Sequence, residues 1–157
     1  MKWVLPTLLL LLVVAPVAKA DDVAKYMELL RSDLRTHKTE LLTEALELSP
    51  AESDKFWPIQ REYETELAKL GDQRVQLIKD YAADYDSLKK DSAKKLMERA
   101  FKLESSRLSL LKKYADKVSQ KVSPVIAARF AQVEAIVNSL MDLQIRAETP
   151  LMPKPHS

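Results

Sequence analysis

From Phe56 to Leu88 large side chains return every three or four residues: Phe56, Ile59, Tyr63, Leu67, Leu70, Arg74, Leu77 or Ile78, Tyr81, Tyr85 and Leu88. That spacing traces one face of an α-helix and is close to a heptad repeat. A helix from Pro50 to Leu88 would be roughly 60 Å long, about twice the width of a small domain. The chain must therefore build an elongated structure around it. Only one glycine and 31% charged residues in a 157-residue chain point the same way, to helices rather than a turn-rich β fold.

The start of this helix is written out. Ser49 can cap the first free amides, Pro50 suits the first helical position, and Glu52 completes an S-x-x-E capping box. Pro58 falls early enough to be tolerated with a slight bend. Gly71 lies within the stripe without shifting its phase. It reads as an exposed helical glycine, at about 1 kcal/mol relative to alanine. The same frame recurs at Ser123-Pro124, where Phe130 follows its serine at the distance at which Phe56 follows Ser49.

Around these two starts the remaining helices can be placed. Val23, Met27, Leu30, Leu34, Leu41, Ala45 and Leu48 mark a first helix. His37 and Lys38 interrupt its stripe, through a kink, a solvated patch or a fresh start near Thr36; one continuous helix is expected. Lys89 to Ser92 form the tip, with Asp91 or Ser92 capping a third helix marked by Leu96, Ala100, Leu103, Arg107, Leu110, Tyr114, Val118 and Val122. Val125, Ala128, Val133, Ile136, Leu140, Leu143 and Gln144 or Ile145 form the expected inner face of the fourth, which Thr149-Pro150 ends.

The expected fold is all-α, an elongated antiparallel long-helix hairpin with two flanking helices, paired into a curved dimer. Both Ser-Pro turns should lie at one end of it. A regular four-helix bundle is the alternative, disfavoured by the unequal helix lengths. Residues 21–148 make one helical domain, and residues 149–157, with Pro150, Pro153 and Pro155, a disordered tail.

Residues 1–20 read as a secretory signal peptide: Lys2, an apolar run from Leu8 to Val14, and Ala18-Lys19-Ala20 before the cleavage point. The whole apolar stretch from Trp3 to Ala18 is shorter than the roughly 20 residues of a spanning helix and is interrupted by two prolines. No stable membrane insertion is expected after cleavage. Lys2 and Lys19 leave with the leader, and the 25 basic residues less those two equal the 23 acidic ones. A neutral chain has no general attraction to nucleic acid.

Signals for chemistry are missing. Neither histidine follows a glutamate at Glu-x-x-His spacing, there is no cysteine, and no Gly-rich phosphate loop or G-x-S-x-G appears. No enzyme, cofactor or metal is expected. Arg74 and Arg107 stand where the stripes call for leucine, at one level of the hairpin. Either their heads reach out to solvent, or they meet acids, for which Asp72, Glu104 or a partner chain could serve. Phe56 and Trp57 are neighbours and point roughly 100° apart, so one of them can face a dimer partner or a client. Phe56, Trp57, Arg74, Arg107 and Phe130 are the candidate contact residues.

The frames Leu48-Ser49-Pro50-Ala51-Glu52 and Val122-Ser123-Pro124, in an exported, cysteine-free helical chain, resemble the Spy/CpxP group of periplasmic proteins. That family carries two Leu-Thr-x-x-Gln motifs on long bent helices and forms cradle-shaped dimers. Some members are ATP-independent chaperones; others repress envelope stress sensors or bind zinc. Here serine replaces threonine in both copies, Glu52 replaces glutamine, and Ile126 stands where the second glutamine would be. The resemblance implies a periplasmic homodimer that binds unfolded clients or an envelope sensor domain. The alternative is a structural coiled-coil protein pairing with one envelope partner.

Overall fold

The computed structural model describes residues 32, 33 and 37–153. The expected leader, most of the expected start of the first helix from Val23, and His156 lie outside the described residues. Within them run four helices: α1 (37–46), α2 (Pro50–Asp84), α3 (Lys90–Lys121) and α4 (Pro124–Glu148), with a 3-10 turn at Tyr85–Ser87. The described residues contain no strand, so the all-α expectation holds. At its 35 residues α2 is roughly 52 Å long.

The two serine frames behave as their chemistry requires. A residue before proline disfavours helical backbone, and both Ser49 and Ser123 are extended. The Glu52 amide donates to Ser49 Oγ at 3.4 Å, while the Ser49 amide and hydroxyl donate to Glu52 Oε2 at 2.9 and 2.7 Å. These bonds hold the Glu52 carboxyl below its ordinary range. At α4 only the forward bond exists, from the Ile126 amide to Ser123 Oγ at 3.2 Å. Ser49→Ala is therefore expected to cost about 0.5–2 kcal/mol, and Ser123→Ala less. Urea unfolding of both variants checks this, and equal losses would contradict it.

Three ion pairs join α2 to α3: Glu62 with Lys117, Glu66 with Lys113, and Asp80 with Arg99. Each pair is centred between Lys89 and Lys90, so the helices run antiparallel from that turn in constant register. Tyr63 meets Glu134 and Arg74 meets Asp142, which makes α4 parallel to α2 and antiparallel to α3. Both Ser-Pro turns thus share one end. There the phenylalanines of the two frames touch, Phe56 and Phe130 edge to face at 5.7 Å. Tyr63 packs on Phe130 at 5.4 Å and on Tyr114 at 5.5 Å, and Leu42, Leu46 and Val118 complete the buried hub.

Several local expectations change. The first helix stops at residue 46, because Glu47 turns left-handed (φ 48°) before the serine frame. Arg129 Nη1 donates to the Ala45 carbonyl left free there, at 3.2 Å. The inner face of α1 is Lys38, Leu42 and Leu46, while Leu41 is exposed. Neither Asp91 nor Ser92 caps α3: the helix begins at Lys90, which places Asp91 in its first turn, at the positive end of the helix dipole. Gly71 is half-buried rather than exposed.

The inner face of α4 is Ile126, Ala127, Phe130, Glu134, Val137 and Ile145. Val125, Ala128, Ile136, Leu140 and Leu143, expected inside, are exposed. This helix has apolar residues on two sides, so periodicity alone does not choose between them. The partners of Phe130 and Glu134 do. After α4, the Tyr81 and Tyr85 hydroxyls donate to the carbonyls of Pro150 and Leu151 at 2.9 and 3.2 Å.

Candidate functional site

Two charged clusters lie inside the helix assembly. In the first, the Lys38 ammonium of α1 sits 2.5 Å from Glu64 Oε1 and 2.7 Å from Glu134 Oε1. The Lys38 side chain is 6% exposed and that of Glu134 fully buried. Tyr63 donates its hydroxyl to Glu134 Oε2 at 2.9 Å, and Lys38 also lies over the Tyr63 ring. One ammonium faces two carboxylates. Burial pushes the Glu134 carboxyl up; Lys38 opposes this, and the Glu64 charge adds to it. Burial and the Glu134 charge likewise raise the Tyr63 phenol, so it remains a donor.

In the second cluster the two arginines do meet an acid, and it is Asp142 of α4. Arg74 Nη1 reaches Asp142 Oδ1 at 2.5 Å; Arg107 reaches both Asp142 oxygens, at 3.2 and 2.8 Å, and Glu104 at 2.6 Å. Burial alone would raise Asp142, but the hydrogen bonds from Arg107 and Arg74 hold it below its ordinary range. Arg74 and Arg107 thus lock α2, α3 and α4 in register. Between the clusters lies an apolar cavity of about 90 Å³ lined by Leu67, Leu70, Leu103, Val137 and Met141, and by Gly71, whose missing Cβ leaves space.

The other sequence candidates lie in the hub. Phe56 and Phe130 are wholly buried, and Trp57 is half-buried, edge-on to Phe56 at 5.2 Å. Burial leaves neither phenylalanine a surface to offer a partner.

The open apolar surface is elsewhere, at the hairpin tip. A groove of about 760 Å³ runs between the end of α2, the start of α3 and the strapped tail, lined by Leu77, Ile78, Leu96, Met97, Leu151 and Met152. Along the same side of α3 follow Phe101 and Leu108, 69% and 70% exposed. Lys94, Lys95, Glu98 and Lys102 are exposed beside them, so the surface mixes apolar contact with both charges. Phe101 could be found in the sequence: it is one position past Ala100 and therefore off the inner stripe of α3.

Among the described residues no group of His, Cys, Asp or Glu is arranged to hold a metal ion, and no helix is long and apolar enough to cross a membrane. Neither a family model, a curated protein nor a solved structure matches the chain.

Proposed function

We propose that this is an exported, non-catalytic periplasmic protein that holds unfolded or partly folded polypeptides by their apolar segments. The observation that carries the reading is the open tip groove, continued along α3 by exposed Met97, Phe101 and Leu108 among charges of both signs. A surface of that kind imposes no single geometry and grips many sequences weakly. The leader in residues 1–20 and the resemblance of the two serine frames to the Spy/CpxP group support the compartment and the stress-response setting. An envelope sensor domain offering an apolar helix would use the same surface.

Light scattering tests this. At near-equimolar ratio the protein should suppress aggregation of unrelated proteins diluted from denaturant. Phe101→Ser combined with Leu108→Ser should abolish most of the suppression while leaving helicity intact, since both side chains are exposed. No suppression by the unaltered protein would leave the assembly reading, in which one envelope partner is bound as a coiled coil. Full suppression by the double variant would remove α3 from the site.

A further inference from the structure

α4 presents a second apolar surface, with a different chemistry. Between Phe130 and Ile145 it carries two ionisable side chains, Glu134 and Asp142, and both turn inward to Lys38 and to Arg74 and Arg107. Over the same span Gln132, Ala135, Ile136, Ser139, Leu140, Leu143 and Gln144 are exposed, and none of them bears a charge. Ile136, Leu140 and Leu143 are 60%, 51% and 67% exposed. In a chain 31% charged, four helical turns of uncharged outer face are an anomaly that solvent does not explain. The α3 surface, studded with lysines and glutamates, has no such gap.

The spacing gives this face a register in which it can pair with itself. Ile136 and Leu143 are equidistant from the point midway between Ser139 and Leu140, and so are Ala135 and Gln144. We infer that α4 pairs antiparallel with α4 of a second copy of this chain, about a two-fold axis at that point. Ile136 then meets the partner's Leu143, Ser139 leaves room for the partner's Leu140, and Ala135 leaves room for the partner's Gln144. Small faces large at two of the three levels, and two aliphatic side chains meet at the third, as interlocking helices allow.

A two-fold interface must be self-complementary. An uncharged face meets that condition without like-charge repulsion, whereas a charged patch would face its own sign unless acids and bases alternated about the axis. Leu108 flanks the site across a shallow groove that Ala135 and Ser139 also line, extending the contact toward the roughly 800 Å² per partner of a standard interface. The pairing uses α4 and shares only Leu108 with the client surface on α3 and the tip, so Phe101→Ser alone tests client holding without touching the dimer contact.

Equilibrium sedimentation of the purified full chain tests the pairing. The unaltered protein should be a dimer at micromolar concentration. Leu140→Lys sets like charges beside the axis and should raise the dissociation constant by about 30-fold or more, with helicity by circular dichroism unchanged. Ile136→Glu and Leu143→Lys should each weaken the dimer. Combined in one chain they should restore it, because the acid introduced at 136 meets the base introduced at 143 of the other copy, twice. A monomer at about 100 μM, or an undisturbed Leu140→Lys dimer, overturns the interface. A combined variant no tighter than its single parents overturns the antiparallel register.

Discussion

Lys38→Met is expected to destabilise the fold by about 3–5 kcal/mol at neutral pH, because it leaves Glu64 and the fully buried Glu134 facing each other without their cation. The size of the loss should depend on pH, and its sign follows from the direction of the Glu134 shift. Burial raises that carboxyl, so above the ordinary carboxylate range the folded state holds a proton that the unfolded state has released. Its contribution is full below the unfolded value and is lost as pH rises through the folded one. Asp142 behaves oppositely: its lowered carboxyl stabilises above the ordinary range, and that contribution disappears as pH falls. Glu134→Gln should flatten the decline on the alkaline side, and Lys38→Met should recover part of its loss at mildly acidic pH, where Glu134 protonates. Urea unfolding across pH 5 to 8 checks both, and a Lys38→Met loss that is small or independent of pH would refute the buried triad.

Phe130→Ala should remove about 3–5 kcal/mol, since the ring is fully buried and packs edge-on against both Phe56 and Tyr63. Phe101→Ala, on the exposed side of α3, should change stability by no more than about 0.5 kcal/mol. Calorimetry of the pair separates a core aromatic from a surface one. Comparable losses at the two positions would mean that the hub has been misplaced.

Much of the fold was legible because long stripes and caps act locally. The Ser49 box, the proline-set starts and the α2 and α3 inner faces follow from i+3 and i+4 spacing and backbone geometry, which need no knowledge of neighbours. What escaped depends on neighbours. Lys38 looked like a break in the α1 stripe and is instead its buried inner residue, since only the folded chain brings Glu64 and Glu134 to it. Asp72 and Glu104 were the acids near enough in sequence to suggest themselves, yet it is Asp142 of α4 that joins the two arginines the stripes had already marked. Phe56 and Phe130 drew attention as contact residues for their size and aromatic character, properties that suit a core as well as an interface. On α4 two apolar faces competed, and the choice was made by side chains on other helices.

The register of these contacts also bears on the order in which the chain assembles. Asp80 and Arg99 are 19 residues apart and Glu66 and Lys113 are 47 apart, so the α2–α3 pair can close stepwise from its turn. The Tyr63 to Glu134 bond spans 71 residues and joins helices already brought near by the α2–α3 pair and by the Arg107 to Asp142 contact of α3 with α4, at 35 residues. Loop-closure entropy places it after the hairpin. The ring cluster at the serine end is then a late event, and damage to it emerges as faster opening of the native state rather than slower arrival there.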